Sequence, residues 1–136
     1  MKSTNYYNTF IQVSDDCPVQ RAEIPVERGS GKTAVNLQFE LLIDNPYRFT
    51  SDDILFKIHA LRKELEEAEL EQEKEAFFSK GQACFRASTL AKRYGWGFHF
   101  NEEGRVALVG LGSQEYQFFR DNPNFTQLRA MRSKKA

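Results

Sequence analysis

The chain has 136 residues, 40% of them hydrophobic and 13% aromatic, with 19 Lys and Arg matched by 19 Asp and Glu. That length fits one domain, which buries roughly two-thirds of the surface its unfolded form exposes. The composition excludes wholesale disorder, and zero net charge disfavours a protein that coats nucleic acid.

No apolar run reaches the ~20 residues of a membrane helix, and the first six residues carry no apolar signal region. Two cysteines, Cys17 and Cys84, are too few for a disulfide scaffold. These features point to a cytoplasmic protein with reduced thiols. The charges are segregated: residues 1–75 hold 9 Lys and Arg against 15 Asp and Glu, and residues 76–136 hold 10 against 4. The halves should attract each other within the fold or across a homodimer.

In chain order, Thr9-Phe10-Ile11-Gln12-Val13 reads as a strand, rich in β-branched and aromatic residues and ended by Ser14-Asp15-Asp16. Cys17-Pro18 starts an extended connection that Pro25 keeps out of a helix. Positions 28–32 form the most flexible-looking stretch. The span 33–44 carries two periods. Val35, Leu37, Phe39, Leu41 and Ile43 alternate like a strand, while Ala34, Leu37, Leu41 and Leu42 form a helical stripe. Twelve residues is long for a strand and Asn45-Pro46 supplies a stop, which favours helix.

Thr50-Ser51-Asp52-Asp53 caps the next helix, and Ile54, Ile58, Leu61 and Leu65 recur at helical spacing. From Glu64 to Glu75 there are seven glutamates and one lysine, with no Gly or Pro to stop the helix from running on as a solvated face. Ala76-Phe77-Phe78 returns to the core. Ser88 should cap a short helix over 89–93, with Gly95 beyond its end. Two strands, 96–100 and 105–109, flank a hairpin turn at Asn101-Glu102-Glu103-Gly104. Ser113 caps a last helix carrying Tyr116 and Phe119, stopped by Asn122-Pro123. Residues 125–131 read as a final strand, and 132–136 as a basic, disordered tail. The order implies a single α+β domain over 1–131, with a small, largely antiparallel sheet and helices packed on one face.

Chemistry-bearing residues concentrate between 79 and 99. Cys84 lies two residues from Arg86 and close in sequence to Lys80, Lys92 and Arg93, cations that would favour a thiolate; His99 would serve as its base. The competing reading is a small apolar filler beside Phe85. His99 shares a strand face with Gly97, opposite Trp96, Phe98 and Phe100, so the glycine would leave open space for a ligand. A solvent-facing strand histidine is the plainer alternative. Arg86, Ser88, Lys92, Arg93 and Tyr94 suggest an anion pocket, with Arg as a bidentate donor, or a basic surface complementing the glutamates. Trp96 and Phe98 among basic residues would also suit base stacking, though such aromatics more often fill a core. Two histidines without ligand spacing argue against a metal. Gly29-Ser30-Gly31-Lys32-Thr33 is not a phosphate-binding loop, because the motif needs glycine at position 26, which is Val26.

Several short stretches together resemble a family of small, mostly bacterial proteins known only as a domain of unknown function. They are Asn8-Thr9-Phe10-Ile11 with Asp16-Cys17-Pro18, Asn45-Pro46-Tyr47 with Thr50-Ser51-Asp52-Asp53, Phe77-Phe78-Ser79-Lys80-Gly81-Gln82, Lys92-Arg93-Tyr94-Gly95-Trp96-Gly97, and Ala130-Met131-Arg132-Ser133. The resemblance implies a stand-alone domain and carries over no activity or site residue. The glutamate-rich stretch and Ala83 look like departures from the family pattern.

The sequence therefore leads to a non-catalytic binding module for a small anionic ligand or a protein partner, needing no cofactor. Its expected site residues are Arg86, Ser88, Lys92, Arg93, Trp96 and His99. A thiol enzyme using Cys84 with His99 is the alternative. A homodimer pairing acidic helix with basic face is a third reading.

Overall fold

Residues 9–12, expected as a strand, form β1 (Thr9–Gln12) in the computed structural model, which describes residues 2–27, 29 and 31–133. β1 pairs antiparallel with β2 (Trp96–Phe100), and β2 pairs antiparallel with β3 (Val106–Gly110). On its other side β1 pairs in parallel with β4 (Thr126–Arg129). The sheet order is β3-β2-β1-β4: largely antiparallel, made mixed by one pairing. The hairpin turn forms as read, with the Asn101 Oδ1 accepting from the amides of Glu103 and Arg105 and Gly104 at φ +79°.

Side chains alternate across the sheet, so neighbours in sequence enter different cores. Ile11, Phe98, Phe100 and Val106 face a large core completed by Leu42, Ile54, Ile58, Phe85, Leu90 and Ala91. Phe85 stacks on Phe98 at 4.7 Å. Phe10 and Val109 face a smaller core with Tyr116, joined by Phe119 and Phe125. The larger core is roofed by α1 (Ala34–Ile43), α2 (Ser51–Arg62) and the short α4 (Thr89–Arg93). One helix departs from the one-sided packing expected: α5 (Gln114–Asp121) covers the reverse face, because Tyr116 and Phe119 need the surface that Phe10 presents.

The segment with two periods is helix α1. The Asn36 carboxamide oxygen accepts from the Thr33 amide and hydroxyl, fixing the start. Neighbouring Leu41 and Leu42 both pack on the large core while Ile43 is exposed, as a helical stripe requires and an alternating strand does not allow.

α2 does not run on through the glutamates. It stops at Lys63, and Glu64 takes a left-handed conformation with φ +53°. The Leu65 amide reaches the Ala60 carbonyl at 3.0 Å and the Glu64 amide reaches the Leu61 carbonyl at 3.3 Å. This is the Schellman arrangement, with glutamate at the position glycine usually fills. A 3₁₀ turn (Glu67–Glu69) then leads into α3 (Leu70–Ser79), which folds back on α2. Like charges weaken a continuous helix here, while the turn lets Phe77 and Phe78 meet Phe56. Arg132 and Ser133, read as tail, are tied down: the Arg132 guanidinium lies 3.5 Å from Asp15 and the Ser133 amide donates to Asp16. Arg28, Ser30 and 134–136, within the stretches read as flexible or disordered, lie outside the described residues.

Candidate functional site

The anion reading of residues 86–94 rests first on α4. Ser88 caps it as expected, its Oγ accepting from the Leu90 amide at 3.2 Å and donating to Gln38 Oε1 at 2.6 Å. With α4 only five residues long and its cap occupied, Ser88 builds the scaffold and does not present free amides. The last turn of α4 matters more. Lys92, Arg93 and Tyr94 line a recess of about 470 Å³ with Val26, Thr33, Val35, Thr89 and Ser133. Among the described residues neither Lys92 nor Arg93 has a carboxylate partner. Four hydroxyl-bearing residues, Thr33, Thr89, Tyr94 and Ser133, thus border two cations without a carboxylate partner among the described residues.

Cys84 and Ser88 border a second hollow, of about 380 Å³, with Gln38, Arg62, Phe77 and Gln82. It adjoins a hollow of about 420 Å³ lined by Ile58, His59 and Lys63; both share Leu55, Arg62 and Phe77. The Cys84 sulfur accepts a hydrogen bond from the Tyr6 hydroxyl at 3.1 Å. Burial, then that bond, push the Tyr6 hydroxyl up to about 12. His59 Nε2 lies 3.1 Å from Glu73 Oε1, and Lys63 donates to the same oxygen at 3.2 Å. Hydrogen bonds from His59 and Lys63 hold the Glu73 carboxyl below its usual range. Among the described residues no three His, Cys, Asp or Glu side chains group as a metal site. No described helix is long and apolar enough to cross a membrane.

A family model described as a family of unknown function matches residues 1–136, the whole chain. The chain belongs to that family, DUF6157. No curated protein and no solved structure matches it.

In this DUF6157 chain the remaining expected site residues part company. His99 faces the α5 side of the sheet, away from Phe98 and from the segment carrying Cys84, Arg86 and Ser88. It is 6% exposed, stacks on Phe119 at 4.2 Å and meets Phe125 edge-on at 4.6 Å. Its Nδ1 is hydrogen-bonded to the Tyr47 hydroxyl at 2.7 Å, and its Nε2 is buried without a partner among the described residues. Burial lowers its pKa to about 4, so the ring is neutral near pH 7. Tyr47 is raised by burial and by the nearby Glu115 charge. The open space expected beside Gly97 is filled by the Phe10 ring: a Cβ there would lie 2.9 Å from Phe10 Cζ. His99 is thus neither solvent-facing nor beside Cys84, and the two do not form a dyad.

Arg86 is a clamp between segments. Its Nε donates to the Arg129 carbonyl at 2.8 Å, and its own carbonyl accepts from the Met131 amide at 2.7 Å. Trp96 likewise pins the long connection, its Nε1 donating to the Glu23 carbonyl at 2.8 Å and its ring packing on Phe39 at 5.4 Å. Thr33, Gln38, Arg62 and Ser133 were missed by sequence reading. Each reaches its recess through tertiary packing, and no local spacing signals it.

Proposed function

We propose that this protein is a non-catalytic binding module for a small anion, such as a phosphate- or carboxylate-bearing metabolite, held in the recess at the end of α4. The observation that carries this reading is the pair Lys92 and Arg93, free of carboxylate partners among the described residues and bordered by the hydroxyls of Thr33, Thr89 and Ser133. Arg93 can grip two anion oxygens with its planar fork and Lys92 adds a point charge. A recess of about 470 Å³ suits a metabolite better than a macromolecular surface. Ser88 acts by ordering α4, while Arg86 and Trp96 hold neighbouring segments in place. The cytoplasm fits a chain whose cysteines are both free. The thiol-enzyme alternative has lost its base, since His99 lies across the sheet from Cys84.

The test is a thermal melt in inorganic phosphate against sodium chloride at equal ionic strength. A site of this kind gives an upward shift that grows with phosphate concentration and saturates. Lys92→Ala and Arg93→Ala, both at the surface of a folded α4, should each abolish most of it. Equal shifts in the two salts, or shifts that survive both substitutions, would remove the reading.

A further inference from the structure

The α2–α3 hairpin holds a feature unrelated to the anion recess. Phe49, Phe56, Ala60, Leu61, Leu65 and Leu70 line an apolar groove of about 510 Å³. Leu61, next to last in α2, is 52% exposed at this groove. The positions follow from helix geometry. On α3, Leu70, Glu73, Lys74 and Phe77 form one stripe facing α2, on which Glu73 and Phe77 meet His59 and Leu70 and Lys74 line the groove. Glu71 and Glu75 border the adjoining hollow, which shares Lys74. The groove therefore has an acidic flank along its α3 side, extended by Glu66, Glu67 and Glu69, all exposed.

We infer that this groove docks a basic amphipathic helix of a protein partner, its apolar side chains in the groove and its Lys or Arg residues over the α3 glutamates. Three observations select that occupant. Every lining residue except Phe49 and Leu65 sits on a helix, so no free strand edge is offered to an extended peptide; the visitor must satisfy its own backbone, as a helix does. Of the seven glutamates in segment 64–75, Glu73 is paired with His59 and Lys63, and the other six, against one lysine, make a field that attracts a cationic helix and repels an acyl carboxylate or an acidic peptide. A second copy of this chain, docked about a two-fold axis, would set these same glutamates against each other. Asp53, Lys57 and Lys74 also line the groove. Lys57 lies over the Phe49 ring at 5.9 Å, its stem adding apolar lining with its charge at the rim.

The experiment titrates the full-length protein into three fluorescently labelled helical peptides and follows anisotropy: a Leu/Lys peptide with leucines at i, i+3, i+4 and i+7, its Leu/Glu counterpart, and a Ser/Lys peptide of equal charge without an apolar face. The Leu/Lys peptide should bind, and added salt should weaken it. Leu61→Ser, at an exposed position that folding tolerates, should weaken it roughly tenfold. Glu71→Gln with Glu75→Gln should weaken it severalfold and flatten the salt dependence. No binding of the Leu/Lys peptide overturns the inference. So does equal binding of the Leu/Glu or Ser/Lys peptide, displacement by dodecanoate, or light scattering that shows a dimer disrupted by Leu61→Ser.

Discussion

The two faces of the sheet are built from similar residues and behave differently. Behind β1 and β2, α5 seals a small aromatic core of Phe10, Tyr116, Phe119, Phe125 and His99. In front, α1 to α4 cover a larger core of Phe85, Phe98 and Phe100, but their outer edges leave recesses at α4, at Cys84 and along α2–α3. A single helix lying flat on a sheet can close it completely. Several helices meeting at angles leave gaps where their ends diverge, and side chains at those ends stay available to ligands. The two histidines record the contrast. His99 sits among rings with one neutral partner, and His59 sits at a rim with a carboxylate.

Acid gives the sharpest test of how dry the α5 face is. In the folded protein His99 titrates near pH 4, against 6.5 for the free side chain. Below pH 6.5 the unfolded chain takes up a proton that the folded chain refuses. Stability from this residue is therefore complete above pH 6.5, falls as the pH drops towards 4, and levels off below. The depression corresponds to about 3 kcal/mol lost across that window. Carboxylates titrate in part of the same range, so the comparison is with His99→Phe, which can keep the stack on Phe119. Unfolding free energies from denaturant titrations between pH 7 and pH 4 should fall about 3 kcal/mol less in the variant. Parallel curves would mean that water reaches the ring and the face is not closed.

Gly97 probes the same face by size. An alanine Cβ there would stand 2.9 Å from Phe10 Cζ and 3.0 Å from the Ile11 carbonyl oxygen. The Phe10 ring is fully buried and packed on Tyr116 and Phe119, and the carbonyl belongs to β1, so neither yields easily. Gly97→Ala should cost about 1–3 kcal/mol by overpacking, read as a lower urea midpoint with an unchanged slope. An unaffected midpoint would indicate slack between β1 and α5.

The elements of this fold were legible wherever a local cap and a hydrophobic period agreed. Thr50, Ser88 and Ser113 each start the helix their side chains announce, and the 101–104 turn follows from Asn and Gly placement. The break at Glu64 was not legible, because no Gly or Pro marks it; tertiary contacts of Phe77 and Phe78 with α2 force the chain to turn. The candidate site was legible only in its local part. Lys92, Arg93 and Tyr94 are neighbours in sequence and stay together. Arg86 and His99 were also close, but strand alternation sends His99 through the sheet, and the carbonyl of Arg129 claims Arg86. Proximity along the chain says nothing about which side of a sheet a residue will reach until pairing fixes it.

The smallest effect lies on the open face, in that same turn. Glu64 holds φ +53° at the position where a Schellman turn favours glycine. A side chain in that conformation costs about 1–2 kcal/mol, and glycine's extra freedom in the unfolded chain offsets about 0.5–1 of it. Glu64→Gly should therefore raise stability by about 0.5–1 kcal/mol. Charge is a separate variable, since Glu64 is one of seven glutamates between residues 64 and 75. Glu64→Gln removes the charge and keeps the Cβ, so it should recover only a few tenths of a kcal/mol. Urea midpoints for the two variants separate backbone strain from repulsion. If glutamine gains as much as glycine, repulsion among the glutamates sets the stability of the hairpin and the left-handed turn is not a source of strain.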